Sequence, residues 1–189
     1  MSKRIALLSA VAFSAFALTA ATVAPVSAQD KMMSGEKTVM VGGAAMFPSK
    51  NIIQNAVNSK DHTTLVAAVK AAGLVQTLEG KGPFTVFAPT NAAFSKLPAG
   101  TVDNLVKPEN KATLTKILTY HVVPGKLEAS DLTDGKKLKT VEGEELTVKR
   151  SGNTVTIIDA KGDSSTVTIP NVNQSNGVIH VVDTVLMPS

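Results

Sequence analysis

Residues 83–98 read Pro-Phe-Thr-Val-Phe-Ala-Pro-Thr-Asn-Ala-Ala-Phe-Ser-Lys-Leu-Pro. From Phe84 to Ala88 every second residue is apolar, a period that predicts a strand with one buried face. Pro89 has no N–H for a sheet ladder, so we expect the strand to stop there. A side-chain oxygen of Thr90 or Asn91 can then accept a hydrogen bond from a first-turn N–H and begin a short helix. The stretch therefore predicts a strand, a stop and a capped helix in direct succession.

Two further segments also combine apolar residues with proline and glycine. One reads Tyr120-His-Val-Val-Pro-Gly125, and the other reads Asn176-Gly-Val-Ile-His-Val-Val-Asp-Thr-Val-Leu-Met-Pro188. Together with residues 83–98, they resemble the Tyr-His segment and the two signature blocks of the fasciclin (FAS1) domain family, in the family's order. The resemblance extends over about 145 residues from Ala45 onward, which is about the length of one domain.

The periodicity changes along the chain and indicates the fold class. Residues 49–59, 63–72 and 111–119 place apolar side chains at helical spacing, whereas residues 146–157 alternate around a Ser-Gly-Asn turn. Helices first and antiparallel strands later predict an α+β domain, here over residues 49–189 and in one copy. The resemblance implies more, namely a FAS1-type β-wedge of two sheets with flanking short helices.

The first 28 residues are typical of a secretory signal peptide. Lys3-Arg4 precedes an apolar run from Ile5 to Ala20, and Val26-Ser-Ala28 provides small residues for cleavage before Gln29. The run is short for a bilayer span. We therefore predict a chain that is secreted to the periplasm or the extracellular space and is not inserted in a membrane after cleavage.

Residues 29–48 combine scattered charges, glycines and methionines without a clear period. This pattern predicts a flexible N-terminal arm. The part from Met40 to Phe47 is more apolar than an ordinary linker, so it either packs on the domain or meets a partner.

Composition excludes several classes of function. The chain contains no cysteine, which excludes disulfides, thiolate metal sites and cysteine nucleophiles. Signal cleavage would remove two basic residues and no acidic one, which lowers the formal net charge of +4 by two. A charge so close to neutral argues against nucleic acid as a partner. No cofactor is expected.

Tyr120 and His121 are the candidate partner-binding residues. The resemblance implies this role, because the family's Tyr-His segment is linked to cell-surface adhesion, including integrin contact in animal members. Their apolar setting favours a different role, in which both rings fill and hydrogen-bond the interior. We prefer the structural role and keep the binding role open.

The other histidines, His62 and His180, do not combine with His121 into the spacing of a metal site. No Gly-x-Ser-x-Gly elbow or other nucleophile motif is present. The sequence therefore predicts neither a bound metal nor an enzymatic activity.

Charged side chains gather in the later half of the chain. Asp159-Ala-Lys-Gly-Asp163 lacks the ligand spacing of a calcium loop and is predicted to be a solvated loop. Lys136, Lys137 and Lys139, with Lys149-Arg150, predict a cationic edge. Such an edge either protects a sheet against aggregation or contacts polyanionic glycans.

Two functions from different classes fit these features. The first is an exported, non-enzymatic adhesion or interaction module that binds a protein or glycan of the cell surface, the envelope or the extracellular matrix. The alternative is a carrier of an apolar small molecule such as a carotenoid or lipid. The resemblance extends to fasciclin-like carotenoid carriers, and the long apolar segments could line a groove. Colour or a co-purifying lipid would discriminate between them.

Overall fold

The computed structural model describes residues 37–189. The predicted signal peptide and residues 29–36 of the predicted arm lie outside the described residues and remain predictions. Helices occupy Ile52–Ala56 (α1), Thr63–Ala72 (α2), Val75–Glu79 (α3), Asn91–Ser95 (α4), Thr101–Leu105 (α5) and Lys111–Tyr120 (α6). Strands occupy Val39–Val41 (β1), Ala44–Met46 (β2), Phe84–Pro89 (β3), Val122–Pro124 (β4), Lys137–Lys139 (β5), Glu145–Ser151 (β6), Thr154–Ile158 (β7), Ser164–Gln174 (β8) and Gly177–Val182 (β9).

Seven strands form one hydrogen-bonded array in the order β4-β3-β9-β8-β7-β6-β5. Strand β8 pairs with β7 near its start and with β9 over the remainder, and its register shifts twice between Val167 and Val172. Such irregularities bend a strand. The two sheets of the predicted wedge are therefore two halves of one array that share β8. Strands β3 and β9 run parallel, unlike the antiparallel strands expected. The long connection between these two segments permits this arrangement, which a hairpin would not.

The two faces of β3 and β9 contribute to two different cores. On one face, Val86 and Ile179 pack against the helices in what we name the helix-side core. On the other face, Phe87 and Val182 pack with Leu146 and its neighbours between the two halves of the array, in what we name the wedge core. Strand β3 is therefore buried on both faces, where the sequence predicted one, because it is covered by helices on one side and strands on the other.

The first signature block caps two helices rather than one. Thr90 is the N-cap of α4, and its hydroxyl accepts a first-turn N–H at 3.2 Å. Asn91 instead serves α2, because its Oδ1 accepts the backbone N–H of Thr64 at 3.1 Å and its Nδ2 donates to the carbonyl of Lys60 at 2.8 Å. The residue that precedes α2 makes no side-chain cap of its own. The side-chain cap of α2 therefore comes from a residue far along the chain and not from its own local sequence.

Residues 39–46 form a β-hairpin that packs on the domain. Val41 and Met46 are buried in the helix-side core. Asn55 of α1 fastens the end of this hairpin by donating to and accepting from the backbone of Phe47, at 2.8 and 3.1 Å. The described part of the predicted arm is therefore packed rather than flexible, which is one of the two alternatives given for Met40 to Phe47.

The second signature block connects β9 to the helices. Asn176 is buried; its Oδ1 accepts the first backbone N–H of α1 at 3.1 Å, and its Nδ2 donates to the carbonyls of Leu78 and Gly80 at 2.7 and 2.9 Å. Gly177 lies against β3, where a Cβ would overlap the carbonyl oxygen of Phe84. The Asn-Gly pair therefore fixes the contact between the signature strands and the helical layer.

Candidate functional site: three buried histidines and the helix-side cavity

Tyr120 and His121 lie inside the molecule at the end of α6. The exposed fraction is 0% for Tyr120 and 2% for His121. Tyr120 is the last residue of the helix and packs in the wedge core, whereas the ring of His121 lines a cavity in the helix-side core. The adjacent pair therefore spans the boundary between the two cores.

The phenol of Tyr120 is bonded to the turn that follows β7. Its oxygen accepts the backbone N–H of Ala160 at 2.8 Å. Burial raises the pKa of Tyr120 to about 12, and the nearby carboxylate of Asp159 acts in the same direction. The hydroxyl is therefore neutral at physiological pH and acts as a structural acceptor.

Both ring nitrogens of His121 have backbone partners. The N–H of Leu186 donates to Nε2 at 3.0 Å, so the neutral ring carries its proton on Nδ1, which lies 2.8 Å from the carbonyl of Ile117 and donates to it. Burial lowers the pKa of His121 to about 4. The ring therefore stays neutral and joins α6 to the segment after β9.

His180 is equally well satisfied. Its ring stacks on Phe87 with centroids 5.7 Å apart. Nε2 lies 2.8 Å from the carbonyl of Leu127, and Nδ1 accepts a long bond, 3.4 Å, from the backbone N–H of Asn171. Burial lowers the pKa of His180. This histidine is thus a bonded member of the interior.

His62 differs from the other two histidines. Only 3% of the residue is exposed, and Nδ1 lies 2.9 Å from the hydroxyl of Ser59. Nε2 is buried and has no hydrogen-bond partner. Burial lowers the pKa of His62, whereas the Ala88 carbonyl and the Asp61 carboxylate act in the opposite direction. The Ala88 carbonyl does not, however, complete a hydrogen bond with Nε2. From the sequence, His62 was considered only as a metal ligand, a role that its spacing did not support.

An apolar cavity of about 30 Å³ lies beside His62. Its walls come from the hairpin, from α1 and α2, and from the helix-side faces of β3 and β9. Representative lining residues are Met46, Ile53, His62, Val69, Val86 and Ile179. The cavity therefore has an apolar lining, and Nε2 of His62 is buried beside it without opening onto it.

The charged segments have structural partners. Asp159 is buried, and its carboxylate accepts the backbone N–H groups of Lys161, Asp163 and Met187 at 2.9–3.0 Å. The solvated loop predicted at 159–163 is therefore wrong for Asp159, whose charge is satisfied by backbone donors. In residues 37–189, no histidines and carboxylates gather into a group of three that could hold a metal ion.

The predicted cationic edge lies on the last two strands of the array, with Lys137 and Lys139 on β5 and Lys149 and Arg150 on β6. Lys137 and Lys139 are exposed on β5, and the ammonium group of Lys137 is 3.4 Å from the carboxylate of Glu145. The Arg150 guanidinium is turned toward the backbone and donates to the carbonyl of Ala129 at 2.9 Å. The exposed charge of this edge therefore belongs mainly to its lysines.

Comparison with known proteins identifies the family. The model of the Fasciclin domain matches residues 60–188, and the chain belongs to this family. Protein sll1483 of Synechocystis sp. is 48% identical over 164 residues, which make up 87% of this chain and 88% of that protein. Immunogenic protein MPB70 of Mycobacterium bovis is 41% identical over 138 residues, or 70% of this chain and 66% of the relative.

A solved structure supports the same fold. The FAS1 domain pair from the insect cell adhesion molecule Fasciclin I matches with a TM-score of 0.66 at 19% identity, over 75% of this chain and 52% of that chain. The family and the α+β wedge predicted from three short segments are confirmed. No helix within residues 37–189 has both the length and the hydrophobicity needed to cross a bilayer.

Proposed function

We propose that this protein is an exported, non-enzymatic adhesion or interaction module. Membership of the fasciclin family carries this proposal, together with the matching solved structure, which comes from a cell adhesion molecule. The partner we propose is a protein or glycan of the cell surface, the envelope or the extracellular matrix. The domain supplies a rigid frame, and its loops and edges supply the contacts.

We propose a supporting role for Tyr120 and His121 in this activity. Both rings are buried and their polar atoms are bonded to backbone groups. Direct contact with a partner would require these bonds to break. The adhesive surface is therefore sought on exposed residues, and the lysine edge on β5 is the first one to test.

Capture of partners by the full chain tests the adhesive role. We expect specific proteins or glycans from envelope or matrix extract to bind the immobilised chain. The triple substitution Lys136→Glu, Lys137→Glu and Lys139→Glu should weaken binding of a polyanionic glycan. A control with the same charge change, Lys70→Glu, Lys81→Glu and Lys107→Glu, should not. If no specific partner binds the wild-type chain from any extract, the adhesive role is wrong.

Export is tested separately by intact mass. We propose cleavage after Ala28, because Val26-Ser-Ala28 is the small-residue site that follows the apolar run. Protein collected from the periplasm or medium should begin at Gln29. A secreted species that retains Met1 would contradict this proposal.

Carriage of an apolar small molecule is the second candidate function, and the apolar cavity beside His62 favours it. As packed, its volume of about 30 Å³ is far below that of a carotenoid or lipid. A larger cargo would have to part the hairpin and α1 from the sheet. Extraction of the purified native chain with organic solvent, followed by absorbance and mass spectrometry, would detect such a cargo.

A further inference from the structure

Strands β5 to β8 have a second face, which points away from the wedge core. Successive side chains of a strand point to opposite faces, and alternate residues of β5, β6 and β7 are buried in that core. The side chains between them point outward, and with those of β8 that share their side of the sheet they form what we name the outer face. Its main polar members are Lys137, Lys139, Thr147, Lys149, Thr156 and Thr166.

The pairing register arranges these side chains in rows that run across the strands. Lys149 is opposite Thr156, which in turn is opposite Thr166. In the neighbouring row, Lys137 is opposite Thr147. Directly opposed residues share one face of a sheet, and adjacent strands lie about 4.8 Å apart. Each row therefore begins with an ammonium group and continues with threonine hydroxyls.

These polar groups have unused hydrogen-bonding capacity. Within residues 37–189, the hydroxyls of the three threonines make no hydrogen bond, and the ammonium groups of Lys139 and Lys149 form no ion pair. Lys137 lies 3.4 Å from the carboxylate of Glu145, but both of these side chains are more than half exposed. A ligand therefore engages the rows without breaking a buried bond.

The composition of the outer face defines the chemistry of such a ligand. Ammonium groups attract sulfate or carboxylate groups, and threonine hydroxyls donate to and accept from the hydroxyls of a sugar. A protein partner or a neutral sugar would favour aromatic anchors. No residue of β5, β6, β7 or β8 is aromatic. The face therefore suits a ligand that is both anionic and rich in hydroxyl groups.

We propose that the outer face binds a linear anionic polysaccharide, with its sulfate or carboxylate groups at the lysines and its hydroxyls at the threonines. The polysaccharide lies across the strands, because the strand spacing of about 4.8 Å is close to the length of one sugar residue. This inference deepens the adhesive role and rests on it. It extends the contact surface from the lysines of β5 to the threonine rows of β6, β7 and β8.

The test measures binding of the full chain to dextran sulfate and to dextran, which share a backbone and differ in charge. We expect saturable binding of dextran sulfate that weakens with added salt, and binding of dextran about tenfold weaker. Lys149→Ala should weaken dextran sulfate binding about threefold, the scale of one exposed ion pair. Lys70→Ala, a matched change of an exposed lysine on α2, should leave it unchanged.

Variants without a charge change test the threonine rows. Thr156→Val combined with Thr166→Val removes two hydroxyls and keeps the branched side-chain shape, so the unfolding midpoint should not fall. Loss of two exposed hydrogen bonds should weaken dextran sulfate binding about fivefold. Thr77→Val combined with Thr115→Val makes the same change on exposed residues of α3 and α6 and should leave the affinity unchanged.

The outcomes separate this inference from the adhesive role. If dextran sulfate does not bind, the inference is wrong, while capture of specific proteins from envelope or matrix extract would still support the adhesive role. Equal weakening by Lys149→Ala and Lys70→Ala would show diffuse attraction between charges and overturn the location. Equal affinity of the two threonine pairs would refute the threonine contacts. Binding to phosphatidylglycerol vesicles but not to dextran sulfate, lost in Lys149→Ala, would assign the face to a membrane instead.

Discussion

The two cores of this domain share β3 and β9 but differ in how completely they are filled and bonded. In the wedge core, Phe87, Tyr120 and Leu146 are fully buried, and the Tyr120 hydroxyl has a partner. In the helix-side core there is a cavity of about 30 Å³, and His62 keeps a nitrogen without a partner. The helix-side core thus borders a cavity, whereas the largest side chains of the wedge core are fully buried.

This difference shows how one sheet can combine rigidity with adaptability. Strands on both sides of the wedge core fix its side chains through paired backbones, whereas short helices and a two-stranded hairpin cover the helix-side core. Short elements have fewer mutual hydrogen bonds and can shift more easily than strands in a ladder. We therefore expect the wedge core to set stability and the helix-side core to tolerate change.

The largest expected effect comes from His121, which lies where the two cores meet. His121→Ala leaves the carbonyl of Ile117 and the N–H of Leu186 without their ring partner and opens a cavity, so unfolding should become easier by about 2–4 kcal/mol. Urea unfolding measures the loss, and binding should be measured in the same buffer. A wild-type midpoint combined with lost binding would make His121 a direct contact and refute its supporting role.

Acid should destabilise the domain through the same residue. The pKa of His121 is about 4 in the folded state and 6.5 when unperturbed, so the unfolded state takes up a proton first as pH falls. The contribution of His121 to stability should be constant above pH 6.5, fall by about 3 kcal/mol between pH 6.5 and 4, and then level off. Burial lowers the pKa of His62 and His180 as well, which adds to the loss.

A variant that lacks only the His121 ring isolates this proton. His121→Gln should show a shallower dependence of unfolding free energy on pH than the wild type, by about one proton over this range. Parallel pH profiles for the two chains would show that carboxylates, rather than His121, dominate the acid response.

Adding one methylene to each core compares their packing directly. Val148→Leu in the wedge core should cost about 1–3 kcal/mol, because a filled core must distort to accept it. Val69→Leu should destabilise the domain less, or stabilise it, because Val69 lines the cavity and the extra methylene can occupy its space. Urea midpoints of both variants decide the question, and equal losses would contradict the contrast between the cores.

The smallest effect is expected at the helix caps. Asn91→Ala removes the acceptor of the Thr64 N–H and should cost about 1 kcal/mol through α2, although Asn91 begins α4. Thr90→Ala should cost a similar amount through α4 itself. Hydrogen exchange distinguishes them, since each variant should increase exchange in the first turn of a different helix. Faster exchange at α4 in the Asn91→Ala chain would show that the cap was misassigned.

Local periodicity was sufficient to predict several elements. Alternation predicted β3, β6 and β7, and helical spacing predicted α2 and α6, because these patterns depend on near neighbours. The hairpin of β1 and β2 was missed because its few apolar residues lie among glycines and show no sustained period.

The bonded roles of single side chains could not be predicted in the same way. Asn91 caps a helix 27 residues earlier, Tyr120 bonds a turn 40 residues later, and Asn176 reaches α1 across 124 residues. Such contacts leave no local pattern. The unpartnered nitrogen of His62 could not be predicted either, because it depends on which groups the fold brings within hydrogen-bond geometry of the ring.

The three hydrogen bonds of Asn176 also protect the chain from chemical ageing. An Asn-Gly pair is prone to deamidation, in which the glycine nitrogen attacks the side-chain carbonyl carbon, ammonia leaves, and the ring that forms opens to aspartate or isoaspartate. Here the amide is buried and held at both its oxygen and its nitrogen, so it cannot turn toward Gly177 without breaking those bonds. Native chains stored for weeks should keep Asn176 intact by peptide mass mapping, whereas chains stored in urea should convert it. The fold thus preserves a sequence that the unfolded chain would lose with time.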